Sequence, residues 1–155
     1  MKISTRSRYG TRVLLDLALR EGTAPVPLKD IARRQQISLL YLEHIIAPLI
    51  SVGMIKSTRG ARGGVQLARP PREIKLSEVI GLLEGSMAPV DCINDPKVCN
   101  RADICATRDV WIELKKAMDG VLESKTLLDL VDSQKKKSAV ERIRIRAARN
   151  IDNLT

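Results

Sequence analysis

The sequence predicts a mainly α-helical fold with one small β-hairpin, and three observations predict it. Apolar residues recur at helical spacing in one segment after another of the first half. A tract rich in glycine and arginine, Arg59 to Gly64, separates two short runs of strand character. All three cysteines, Cys92, Cys99 and Cys105, lie in one polar stretch that another helix-like run follows directly.

A chain of 155 residues suits one or two small domains with a modest core. Phe is absent, so that core must rest on Leu, Ile, Val and Ala. Arg6, Arg8 and Arg12 break up the N-terminal region before an apolar stretch develops, which argues against a signal peptide. The longest apolar run, Ile45 to Ile55, is interrupted by Pro48, Ser51 and Gly53, far short of the roughly 20 residues that span a bilayer. The expectation is a cytoplasmic protein with no membrane partner. In that compartment thiols stay reduced, and grouped cysteines favour metal over disulfides.

The net charge of +9 is unevenly placed. Residues 1–74 carry 13 basic and 5 acidic side chains, residues 75–134 carry 7 and 11, and residues 135–155 carry 7 and 2. A basic first part beside an acidic middle points to a polyanionic partner for one part of the chain. A basic surface that serves only solubility is the plainer reading.

Ser4 and Thr5 are good N-caps, and Tyr9, Val13, Leu14, Leu17 and Ala18 then repeat at helical spacing until near Gly22. Pro25 and Pro27 restart the chain into a short helix from Leu28 to Gln35. A break at Gln36-Ile37 and a new cap at Ser38 precede an apolar stripe of Leu39, Leu42, Ile45, Ile46, Leu49 and Ile50. Two short helices joined by a turn form a helix-turn-helix. Pro48 removes one hydrogen bond from the second of them at a cost of about 3 kcal/mol, so a kink or an early end is expected there. The polar positions Tyr41, Glu43 and His44 precede it, as suits a helix whose N-terminal end meets base edges.

Met54 to Thr58 and Val65 to Leu67 read as strands, and three glycines within six residues permit a tight tip between them. Arg59 and Arg62 on that tip suit a wing that reaches a narrow groove or phosphates. A phosphate-binding nucleotide loop is excluded, since no helix follows the glycines and there is no Lys-Ser or Lys-Thr pair. Domain boundaries follow: residues 1–74 as a winged helix-turn-helix domain, 75–134 as a cysteine-loop and dimerisation region, and 135–155 as a basic tail. That tail is expected either to be flexible or to form a helix on contact with an anion.

Within 75–134, Leu76 to Leu83 is a short helix and Leu127 to Val131 a last turn or two capped by Thr126. Between them Val110, Leu114, Ala117, Val121 and Leu122, with Trp111 and Met118 beside them, make a long helix. Its apolar stripe is broad enough to take a second subunit. Asn94, Pro96, Asn100 and the aspartates around the cysteines disfavour both helix and strand there. Three thiols in one polar loop suit an iron–sulfur cluster, zinc or another metal, or remain metal-free.

In order and spacing, Thr5-Arg6-Ser7-Arg8-Tyr9, Leu39-Leu40-Tyr41-Leu42-Glu43-His44, Arg59-Gly60 with Gly63-Gly64, and the three cysteines before a long helix resemble one group. It is that of the bacterial winged-helix regulators that include the iron–sulfur cluster regulator and the nitric-oxide-sensing repressor. The resemblance covers residues 1 to about 134. It implies a homodimer on a pseudo-palindromic double-stranded DNA operator, each subunit placing one helix in a major groove and a wing beside it. The reading positions it implies are Leu40, Glu43 and His44 on the helix, flanked by Ser38 and Tyr41, and Arg59 on the wing. Arg6, Arg8 and Tyr9 are phosphate-contact candidates. The implied cofactor is a two-iron or four-iron cluster on Cys92, Cys99 and Cys105. Its fourth ligand is unassigned, because Arg108 stands where the cluster regulator has histidine and Ser7-Arg8-Tyr9 offers no carboxylate. Asp91, Asp95, Asp103, Asp109 or a small external ligand can take that place.

Other readings compete for His44 and for the chain as a whole. His44 is either a DNA contact, an exposed histidine without a role, or a metal ligand. The chain as a whole is either a regulator modulated by a cluster, an iron–sulfur carrier whose basic half docks an acidic partner, or a winged-helix regulator that senses another ligand. An enzyme is not expected, since no nucleophile–base pair is present and the one histidine falls in the reading helix.

Overall fold

The structure, a computed structural model, describes residues 2–152 other than Thr23 and Ala61, with side chains as far as Arg144. Helix α1, Thr5–Ala18, begins at Ser4, whose Oγ accepts from the Ser7 N–H at 3.1 Å. It buries Val13, Leu14, Leu17 and Ala18. Gly10 faces a later helix so closely that a Cβ there would lie 2.3 Å from Leu83 Cδ1.

Helix α2, Leu28–Gln35, stops at Gln36, which takes a left-handed conformation at φ 56 although it is not glycine. That residue makes the sharp turn into α3, Leu39–Ser51. The early end expected at Pro48 does not occur: α3 runs through it, with Leu49 just beyond it buried in the core, and stops at Ser51, shortly before Gly53 with its φ of 70. Leu42, Ile45, Ile46 and Leu49 are its buried side, whereas Leu39 and Ile50, expected in the same stripe, are exposed.

Strands β1, Ile55–Thr58, and β2, Gly64–Leu67, pair antiparallel with Ile55 opposite Leu67 and Thr58 opposite Gly64. Val26 and Val65 exchange two backbone hydrogen bonds of 2.9 Å, tying the hairpin to the approach of α2. Gly64 permits that contact, since a Cβ on it would meet the Val26 carbonyl oxygen at 2.4 Å.

Helix α4, Leu76–Glu84, packs on α1 and α3 through Val79, Ile80 and Leu83. The cysteine loop leads to α5, Ala106–Glu123, which buries no residue of its own. Its C-terminal end is clasped to the start of α4, where the Ser77 hydroxyl donates to Glu123 at 2.6 Å and Lys75 pairs with the same carboxylate. Helix α6, beginning at Leu127, returns Leu127 and Val131 to the core beside α1. One hydrophobic core therefore contains residues from both sides of position 74.

The end of the chain differs from the sequence expectation in one respect. Helix α6 does not stop near Val131 but continues to Asp152, through the segment read as a flexible or anion-induced tail. No glycine or proline occurs after Leu127, and Ala, Lys, Arg, Gln and Glu are strong helix formers, so nothing local ends the helix.

Candidate nucleic-acid interface and cysteine loop

The reading head is built on the first turns of α3. Ser38 Oγ accepts from the Tyr41 N–H at 3.2 Å, which satisfies an orphan donor and fixes where the helix starts. With Leu42, Ile45, Ile46 and Leu49 turned inward, Leu40, Glu43, His44 and Ala47 are exposed. Leu40 is 66% exposed, a large apolar side chain with no protein partner to cover it. Tyr41 is half-buried and meets Tyr9 of α1 edge-on, with ring centroids 6.2 Å apart. The Arg12 guanidinium lies 5.2 Å from the Tyr9 ring centroid. Arg12 was legible in sequence only as one of the arginines that break up the N-terminal region, although its place three residues after Tyr9 on the same helix signals this contact. Arg6 and Arg8 are exposed on the first turns of α1.

At the wing tip Gly60 has φ 106, and the Gly63 N–H donates to the Gly60 carbonyl at 2.9 Å. A Cβ on Gly63 would come within 2.4 Å of the Thr58 oxygen, so this tip requires glycine there. Arg59 and Arg62 are both exposed, and neither forms an ion pair among the described residues.

Three single 3-10 turns, Asp91–Ile93, Pro96–Val98 and Ala102–Ile104, make up the cysteine loop. Cys92 lies within the first, Cys99 follows the second, and Cys105 follows the third as the residue that begins α5. Asp95 starts the second turn, its Oδ1 accepting from the Lys97 N–H at 3.0 Å. All three thiols are free and half-buried. Cys105 Sγ lies 3.1 Å from the Thr107 hydroxyl. That contact, followed by the Arg108 backbone N–H and the nearby Arg101 charge, holds the Cys105 thiol below the usual thiol range. Arg108 donates from Nε to the Cys92 carbonyl at 3.0 Å.

The donor chemistry of this loop fits a soft metal centre: three solvent-accessible thiols, one biased toward thiolate. Among the described residues no group of three His, Cys, Asp or Glu side chains comes together closely enough to hold a metal ion. Asp91, Asp95, Asp103 and Asp109 are exposed, and His44 belongs to the outer face of α3.

The Rrf2 family model, described as an iron-dependent transcriptional regulator, matches residues 3–133. The chain belongs to the Rrf2 family. The protein rrf2 of Nitratidesulfovibrio vulgaris (strain Hildenborough) is 48% identical over 131 residues, which cover 84% of this chain and 87% of that protein. Among solved structures, CymR (YrzC), the global cysteine regulator of B. subtilis, is similar with a TM-score of 0.73 and 38% identity. That match covers 86% of this chain and 98% of CymR. IscR of T. potens is similar with a TM-score of 0.73 and 41% identity, covering 88% of this chain and 90% of IscR.

This Rrf2-family chain is accordingly a winged-helix, DNA-binding transcription regulator and not an enzyme. No described helix is long and apolar enough to cross a membrane. The effector is where the family diverges: the family model names iron, while the CymR structure is that of a cysteine regulator.

Proposed function

We propose that this Rrf2-family regulator binds a pseudo-palindromic operator as a homodimer and that its three-cysteine loop couples operator affinity to iron–sulfur, redox or nitric-oxide status. The observation that carries the DNA reading is the outer face of α3, where Leu40, Glu43 and His44 stand exposed beside a wing bearing two unpaired arginines. Leu40 suits a thymine methyl group, Glu43 can accept from a cytosine amino group, and Arg59 suits a narrow minor groove. Arg6, Arg8, Tyr9, Ser38, Tyr41 and Arg62 would contact phosphates and set the register. The dimer reading rests on α5, which leaves Val110, Trp111, Leu114 and Val121 exposed at 56, 38, 38 and 62%. This division of labour follows residues 1–74 for reading and 75–134 for sensing and pairing.

Cys92, Cys99 and Cys105 would hold the cluster, which when bound supplies sensitivity to oxidants and nitric oxide. The chain's own part is mechanical. Cys105 opens α5 and Cys92 is bonded to Arg108 in the first turn of α5, so any change in the loop reaches the pairing helix directly. A shift of that helix alters the spacing of two reading heads and with it operator affinity.

A second reading rests on the Cys105 thiol, held below the usual thiol range with its Sγ 3.1 Å from the Thr107 hydroxyl. In it a peroxide oxidises the Cys105 thiolate to sulfenic acid, releasing hydroxide, with no metal involved. Anaerobic purification with an absorption spectrum and iron and sulfide counts separates the two. A coloured protein with iron and sulfide is expected, and a colourless, iron-free one overturns the cluster reading. Operator affinity should then change on oxidant or nitric oxide in wild type but not in the Cys92→Ala/Cys99→Ala/Cys105→Ala variant. Equal wild-type affinity with and without those reagents overturns sensing altogether.

A further inference from the structure

The family match ends at residue 133, yet α6 continues to Asp152. From Asp132 to Arg144 this extension carries Lys135, Lys136, Lys137, Arg142 and Arg144 against only Asp132 and Glu141. None of the five cations forms an ion pair among the described residues. As far as Arg144 the extension is exposed apart from the half-buried Ser138, yet it borders the body of the protein. It lies along α1 and the end of α2, across a cleft of about 610 Å3 lined by Arg12, Asp16 and Gln35 on one side and Lys135, Ser138 and Arg142 on the other.

The charges of that cleft do not cancel. The Asp16 carboxylate is taken by Arg34, at 3.0 and 2.6 Å, and by Arg20 at 3.3 Å. Arg12 on one side and Lys135 and Arg142 on the other therefore line the cleft without a free anion among its lining residues. Arg12 is also the cation over Tyr9, and Tyr9 is edge-on to Tyr41 in the first turn of α3. Arg12 thus links the cleft, through Tyr9 and Tyr41, to the edge of the reading head. Lys135 to Arg142 spans about 10 Å of helix axis at 1.5 Å per residue. That is about three phosphates of one strand at 3.4 Å of axial rise each.

We propose that the α6 extension is a second DNA contact, independent of sequence: Lys135 and Arg142, with Arg12, hold the phosphate backbone beside the groove that α3 enters. This rests on the DNA-reading proposal above and adds to it a clamp whose α6 cations lie beyond the matched 3–133 region. Lys136, Lys137 and Arg144 reinforce the local positive potential, which a small anion seated in the cleft would leave unused.

The test compares the full chain with Lys135→Gln/Lys136→Gln/Lys137→Gln/Arg142→Gln, in which glutamine keeps helix propensity. A chain ending at Gln134, which keeps the buried Leu127 and Val131, serves as a second variant. Duplexes of about 40 base pairs give room for two half-sites one helical turn apart with flanks. One duplex has arbitrary sequence and one is enriched by the full chain from a random pool. Affinity is read across about 50 to 200 mM salt, where each lost phosphate contact should make the slope of log K against log salt shallower by about 0.9. Both variants should lose slope on both duplexes by the same amount, roughly 2 or more for two or more contacts. They should still enrich the same sequence. If the full chain enriches a sequence and the variants keep its full slope, the clamp alone is overturned. If the slope is kept but calorimetry shows that only the full chain binds inorganic phosphate, the cleft is an effector site and the clamp is likewise overturned. If the full chain enriches no sequence, the DNA-reading proposal fails, and the clamp with it.

Discussion

Arg108 donates from its Nε to the carbonyl oxygen of Cys92 at 3.0 Å, closing the stretch of chain that contains all three cysteines. The donor stands in the first turn of α5 and the acceptor in the first turn of the loop. At this position the resemblance implied a histidine ligand. Arginine has no lone pair to offer, but a fixed guanidinium can brace the backbone of the loop and place a positive charge near the thiols.

Removing that brace should loosen the first cysteine. In Arg108→Ala the loss of a hydrogen bond worth about 1 kcal/mol should raise the Cys92 alkylation rate about five-fold, with the far-ultraviolet spectrum unchanged. Site-resolved labelling followed by mass spectrometry measures it. Identical Cys92 rates in wild type and variant would show that the bond does not restrain the loop.

Cys105 should titrate as an activated thiol. The Thr107 hydroxyl is the largest of the effects that lower its pKa, because donation to sulfur stabilises the thiolate. Thr107→Val removes that donor, so the pKa moves up toward the ordinary thiol value. The alkylation rate of Cys105 should then fall near neutral pH and stay unchanged in strong base, where the thiol is fully ionised in both proteins. A pH–rate midpoint that does not move upward rules out the hydroxyl as the cause.

The helix-turn-helix should depend on an ion pair that ties its first helix to α1, outside the motif. Asp16 of α1 is 7% exposed and receives both Nε and Nη2 of Arg34 in α2, at 3.0 and 2.6 Å. Asp16→Asn leaves a partly buried guanidinium without its anion and should cost about 2–3 kcal/mol, below the full value for a buried pair because Arg34 keeps some solvent access. Urea denaturation gives the number. A loss below about 0.5 kcal/mol would place this pair among ordinary surface ion pairs.

Local signals in the chain are strong where one residue controls the backbone. Ser4 and Ser38 were legible as caps because a short hydroxyl side chain reaches an orphan N–H, and both do so. The break at Gln36-Ile37 was legible, but its left-handed Gln36 was not, since a non-glycine residue takes φ 56 only under tertiary constraint. The glycines of the wing tip implied a tight turn, and Gly60 and Gly63 make one.

By itself, the sequence determined the helix-turn-helix, the hairpin and the polar cysteine loop, because caps, periodicity and glycine act over a few residues. Only the tertiary structure decided how far α6 extends against α1 and that Tyr9, Tyr41 and Arg12 meet. It alone also showed that Arg108 secures Cys92. Those relationships join residues far apart in the chain. They depend on how helices pack, and no local pattern of residue types encodes that.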